Sequence, residues 1–222
     1  MGQTEMASRP QELWLAAARE RATETRLTLE SLDMAFDESF SATVEVIRRA
    51  SGKVITIGVG TSGPVARRMA HLLATSGTPA VYLHPGDALH GALGAVTAGD
   101  VILAVSKGGQ SAEMNDFVTR ARRRGAGIVA LTAKPASRLG QLADVTVTLP
   151  DVAGGDPGGV IAMGSSLLAA AWGDALAIVL MRITGYGWDQ VLDSHPSGAV
   201  GEIRQLPEAL PRLPDVSSSG RS

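Results

Sequence analysis

No cysteine occurs among the 222 residues. That excludes disulfides, thiolate zinc sites and cysteine nucleophiles together, and it suits a reducing compartment, so a cytoplasmic protein is expected. An excess of charge of either sign is also missing: 20 Lys and Arg against 22 Asp and Glu leave a formal net charge of −2. Polyanion binders that ignore sequence carry a strong basic excess, because phosphate contacts supply their affinity; no nucleic-acid partner is expected. The one dense basic run, Arg120 with Arg122, Arg123 and Arg124, reads as the solvated C-terminal end of a helix, where cations complement the dipole. No basic segment near the N-terminus leads into an apolar run, so no secretory leader is expected. An unbroken apolar run of membrane length is lacking too. The longest candidate, Ile161 to Ile183, is interrupted by Gly164, Ser165, Ser166, Gly173 and Asp174. It reads as a buried helix, because a bilayer span would not carry that Asp without a partner, and no membrane partner is expected.

What is present is a core. Hydrophobic residues make up 45% of the chain, enough for one large α/β domain. Over residues 11–50, Leu13, Ala16, Leu27, Leu32, Phe36, Phe40, Val44 and Ile47 recur at intervals that suit helices, and two helices are predicted before the first strand. Short apolar runs then follow at 54–57, 80–83, 101–105, 128–131 and 145–149, with helical patterns at 64–75, 112–124, 137–142 and 165–184. Strands that are apolar throughout and alternate with helices predict a five-stranded parallel sheet covered on both faces, a three-layer α/β/α sandwich with extra N-terminal helices. Residues 1–10 read as a flexible N-terminus and 11–203 as the domain. Residues 204–222, with Pro207, Pro211, Pro214 and the run Ser217-Ser218-Ser219-Gly220, read as a flexible tail.

Two glycine-rich turns follow strands and open helices, at 58–63 and 106–111. Glycines let a backbone approach closely, and the free amides of a helix N-terminus favour a phosphate. Gly60, Thr61 and Ser62 in the first turn, and Ser106, Gly109, Gln110 and Ser111 in the second, are the candidate phosphate-binding positions. In an open parallel sheet both turns lie beyond the carboxyl ends of the strands, where ligands bind. Gly58-x-Gly60-x-x-Gly63 also has the spacing of a dinucleotide fingerprint. The next strand ends at Leu83-His84-Pro85 without the acidic residue that a ribose needs, so no redox cofactor is expected. His84 and His90 beyond that strand read either as acid/base groups, since imidazole titrates near neutrality, or as loop histidines and a helix cap. The segment Ser194-His195-Pro196 reads as a turn between helices, and His195 can join the other two only through the fold; no metal is expected. Asp174, set among Trp172, Ala175, Leu176 and Ile178, must be partnered or lie at a pocket or subunit contact.

Taken together, Gly58-Val-Gly-Thr-Ser-Gly63, Ser76-Gly-Thr-Pro79, His84-Pro-Gly-Asp-Ala-Leu-His-Gly91, Thr97-Ala-Gly-Asp100, Ser106-x-x-Gly109-x-Ser111-x-Glu113, Gly173-Asp-Ala-Leu176 and Ser194-His-Pro-x-Gly198 resemble the sugar isomerase (SIS) domain. Within it they resemble the arabinose-5-phosphate isomerase family. The resemblance covers roughly residues 40–202, and that family's paired CBS regulatory domains are expected to be absent. It implies reversible aldose–ketose isomerisation of a phosphosugar through an enediol, without cofactor, in a homotetramer whose sites are shared between subunits. By motif match Ser62, Ser106 and Ser111 contact phosphate, while His90 and His195 face the sugar. Three positions depart from the family pattern. Thr61 stands where a lysine is usual, Gly108 where a phosphate-binding serine is usual, and Gln110 where an acidic residue is usual. Lys107 is expected to supply the missing cation, and Asp156 to stand in for a glutamate of the loop before the last long helix. His90 and His195 are favoured over Asp156 as the base. The other reading is a sensor that binds a sugar phosphate without turning it over.

Overall fold

The helical periodicity of residues 11–50 resolves into α1 (Pro10–Glu30) and α2 (Glu38–Arg49), joined by a 3-10 turn at Ser31–Ala35. The computed structural model describes residues 10–215, so the flexible N-terminus expected at 1–10, bar its last residue, and the end of the tail expected at 204–222 lie outside the described residues. Asp37 sets the break between the two helices. Its carboxylate caps α2 by accepting from the Ser39 amide at 2.8 Å, and Arg48 and Arg49 sit in the last turn where the dipole favours cations.

Five short strands follow: β1 (Val54–Gly58), β2 (Ala80–Tyr82), β3 (Val101–Val105), β4 (Gly127–Thr132) and β5 (Val145–Thr148). All pair in parallel, in the order β2-β1-β3-β4-β5. Strands β1 and β3 are buried on both faces, as their unbroken apolar sequence requires. Side-chain alternation divides the core in two. Val54, Val101, Leu103, Val105, Val129 and Leu131 face α2, α3 (Ser62–Thr75) and α7 (Gly164–Thr184). Ile55, Ile57, Ile102, Ala104, Ile128 and Ala130 face α5 (Ala112–Arg123) and the short α4 (Pro85–Leu89) and α6 (Arg138–Leu142). The three-layer α/β/α sandwich is therefore present, and α4 is an element that the sequence periodicity does not announce.

The longest apolar stretch is a core helix. α7 buries Leu168, Ala169, Trp172, Leu176 and Leu180 against the sheet and its neighbours. A Cβ on Gly173 would come within 2.7 Å of Met69 Cε, so the glycine lets α3 lie close. Asp174 has the partner that its apolar surroundings demand: Arg68 of α3, with one nitrogen at 2.9 Å from Oδ2. In the basic run, Arg120 pairs with Asp116 at 2.9 Å, and Arg122 reaches the Leu142 carbonyl and Asp144. After α8 (Trp188–Ser194) and α9 (Gly198–Gly201), the stretch 204–215 has no helix or strand. It lies against α7 and α8, with Trp188 donating to the Glu208 carbonyl at 2.9 Å and Arg182 to that of Pro211 at 2.7 Å. Asp215 pairs with Arg48.

Candidate active site

The strand order reverses between β1 and β3, so the chain departs from these two adjacent strands in opposite directions and leaves a crevice at their carboxyl ends. Both glycine-rich turns open onto it. In the first, Gly60 takes φ +57°, a left-handed conformation that disfavours any side chain, and a Cβ on Gly58 would collide with the Ser62 carbonyl. The turn thus needs both glycines to deliver Ser62 to the start of α3. Thr61 is exposed and its hydroxyl makes no capping bond. In the second turn, buried Ser106 holds the loop from within by accepting from the Gly109 amide at 3.1 Å. Gly109 takes φ +64°, and a Cβ there would strike the Ser137 hydroxyl. Gly108 is different: a Cβ there meets nothing within 4 Å, so the missing serine reflects no steric limit. Ser111 begins α5 with its hydroxyl unused as a cap, and Gln110 is exposed.

Lys107 is where the structure adds most. Its Nζ donates to Asp156 Oδ2 at 2.7 Å and lies 3.1 Å from Asp151 Oδ1, while Lys134 holds the other oxygen of Asp151 at 2.9 Å. Asp156 is buried, and it also accepts from the Ser165 amide (3.0 Å) and hydroxyl (2.6 Å) in the first turn of α7. Burial by itself would raise this carboxyl, but the bonds from Lys107 and Ser165 outweigh it and hold the pKa at about 2. The Asp156 hydrogen bond, opposed by burial and aided by Asp151, pushes the Lys107 ammonium above its ordinary value. Both groups therefore stay charged at neutral pH. Asp151 and Ser165 were missed in the sequence. The signal for Asp151 was available, since it lies just beyond β5 and so falls in the same layer of strand-end loops as both turns.

Ser62, Lys107, Ser165 and Ser166 line one small cavity between the strand ends and α7. At about 30 Å³ it has room for a water and not for a sugar phosphate. Outside it, Lys107, Asp151, Ala153, Gly154, Asp156 and Gly159 surround a wider recess of about 330 Å³, in the range of small-molecule sites.

None of His84, His90 and His195 lines either cavity that contains Lys107. His84 is exposed and caps α4, its Nδ1 accepting from the Gly86 amide at 3.1 Å. His90 ends the same helix, also exposed. His195 stacks edge-on against His71, ring centroids 6.1 Å apart, and its Nδ1 lies 3.2 Å from both Ser194 Oγ and the Val191 carbonyl. His71 sits on α3 about 13 Å along the helix from Ser62.

Strand order, glycine turns and motif positions agree with a single family, and the comparisons do too. The profile of the SIS domain matches residues 47–180, more than half of the chain. The chain belongs to the SIS domain family. Arabinose 5-phosphate isomerase KdsD of Escherichia coli K12 is 33% identical over 204 residues, 92% of this chain and 61% of that protein. The SIS chain thus spans about three-fifths of the length of that curated relative. Among solved structures, an E. coli CFT073 protein in complex with arabinose 5-phosphate superposes with a TM-score of 0.80 at 27% identity, covering 85% of this chain and all of the other. The sugar isomerase domain of an RpiR transcription factor from Sphaerobacter thermophilus superposes at 0.54 with 26% identity, covering 74% of this chain and 97% of the other.

Proposed function

We propose that this SIS domain is a phosphosugar aldose–ketose isomerase that works through an enediol. The observation that carries the reading is the pair of glycine turns at the reversal of strand order, with Ser62 at the start of α3 sharing a cavity with Lys107 and Ser111 ending the Lys107 turn at the start of α5. Helix-start amides, hydroxyls and an ammonium together suit a phosphate, and the likeness to KdsD over 92% of the chain supports a phosphosugar as the ligand. Isomerisation then needs a base for the proton on the carbon beside the carbonyl, and an acid to move a proton between oxygens. Asp156, with its pKa near 2 and two partners, is a weak base at neutral pH. His90 and His195 are the candidates; neither lines a cavity that contains Lys107, which is met by a homotetramer in which neighbouring subunits complete each site.

A second reading has its own support. Lys107 is neutralised by Asp156 and Asp151, the histidines line neither of its cavities, and a transcription factor's sugar isomerase domain shares the fold at 26% identity. A domain that binds a phosphosugar and signals, without turnover, would look the same. The deciding experiment incubates the protein with pentose and hexose phosphates in heavy water and follows proton exchange by NMR. Deuterium incorporation beside the carbonyl, with an aldose–ketose product, is expected; binding without exchange across the panel selects the sensor. Substituting the histidine that acts as base, by His90→Ala or His195→Ala, lowers the exchange rate by about 100-fold or more. Unchanged rates in both variants remove the histidine assignment.

A further inference from the structure

In this protomer the Asp156 carboxylate occupies a setting made for an anion. It has an ammonium at 2.7 Å, a hydroxyl at 2.6 Å and a backbone amide at 3.0 Å in the first turn of the 21-residue α7, and its side chain is 5% exposed. These are the donors that a ligand phosphate would use. Lys107 also borders the wider recess of about 330 Å³, but Asp156 and Asp151 already hold its ammonium at 2.7 and 3.1 Å, so a phosphate entering there must compete with them for it.

We propose that Asp156 is an internal latch that competes with the ligand's phosphate for Lys107 and the start of α7, and that the turn carrying it swings out when the ligand binds. This rests on the reading of the crevice as a phosphosugar site, and it adds how access to that site is controlled. The surrounding contacts say which part moves. Gly155 is bonded on the α7 side by the Gly164 amide at 3.1 Å, and the Gly154 carbonyl accepts from Arg21 of α1 at 3.0 Å, so the loop's first half is anchored. Beyond Asp156, Gly158 and Gly159 take φ +64° and +69° with nothing within 4 Å of a Cβ, and Val160 is 84% exposed. The freedom lies on the far side of the latch. Because the Asp156 carboxyl stays ionised down to about pH 2, a competing anion opens the latch and a physiological proton does not. The charged groups that face it are Lys107 and, through Lys107, Asp151 with Lys134.

The test titrates the protein with inorganic phosphate by calorimetry. Asp156→Asn keeps the shape and removes the charge, and it is expected to bind phosphate about tenfold tighter or more, the range for a charge-assisted bond. Adding Lys107→Met to that variant is expected to cancel the gain. An Asn variant that melts cooperatively yet binds no tighter overturns the latch. Hydrogen exchange of the wild-type protein gives a second measure that needs no variant. Phosphate at saturation is expected to speed exchange in residues 156–161, and unchanged or slower exchange there overturns the proposal. Phosphate binding and proton exchange on a sugar are separate readouts. A turnover-competent protein without tightening refutes the latch alone, and tightening without turnover on any sugar refutes the isomerase alone.

Discussion

At the scale of single residues, the two neighbouring glycines of the second turn have different reasons to be there. Gly109 sits at φ +64° with the Ser137 hydroxyl where a side chain would begin, whereas Gly108 opens on free space. Gly109→Ala is therefore expected to cost roughly 2–4 kcal/mol, from the left-handed backbone and from overpacking together. Gly108→Ala is expected to leave stability unchanged within about 1 kcal/mol. Thermal unfolding separates the two, and equal melting temperatures would remove this account of the turn. The sequence marks both positions as glycine and nothing more. What distinguishes them is the approach of Ser137, a residue from beyond β4 that only the packed sheet brings there.

At the scale of elements, Asp156 ties the loop after β5 to α7 and to the turn after β3. Its ordinary carboxyl value of 3.8 falls to about 2 in the fold, which contributes about 2 kcal/mol. A depressed carboxyl stabilises above its unfolded pKa, and that stability is lost as pH falls through the folded value. The window is thus roughly pH 4 down to pH 2. Asp156→Asn is expected to be less stable than wild type by that amount at pH 7 and equal to it near pH 2, measured by urea unfolding across pH. Asp37, under the Ser39 hydroxyl and amide, is also depressed, as is Asp100, where burial is outweighed by Lys53 and Thr97. Neither shares a partner with Asp156, so both drop out of the difference; Asp151, depressed by Lys134 and Lys107, shares Lys107 and adds to it in the same acid window. A gap that stays constant with pH would mean that Asp156 acts through shape and not charge.

For the whole molecule, α1 poses the question of assembly. It is 21 residues long, yet Thr28 is its one buried residue, and Leu13, Trp14 and Leu15 are each more than half exposed. A helix of this kind draws its stability from packing, and neighbouring copies of the chain are the cover we propose. The expected solution mass by light scattering is about four times the 22.9 kDa of one chain. Trp14→Glu with Leu15→Glu is expected to reduce it, and to reduce sugar turnover with it if sites are shared. A wild-type monomer that turns over substrate would end the shared-site reading.

The five strands, their parallel pairing and the helices over both faces were legible in the sequence, because apolar runs buried on two sides and glycines at strand ends leave few other solutions. The glycine turns were legible for the same local reason, and the ordered motifs pointed to the SIS family. What the sequence could not decide was every partnership between residues far apart in the chain. Lys107 reads there as the missing cation and Asp156 as the stand-in for a glutamate, each taken separately; the fold sets them 2.7 Å apart across 49 residues. His84, open to two readings, is a cap whose ring accepts from an amide two residues on, in a helix too short to announce itself by periodicity. Local propensity and pattern act over a few residues and are written in the chain. Ion pairs, cavities and the distance from a histidine to a lysine arise only once the sheet has chosen its strand order, and that choice belongs to the tertiary structure.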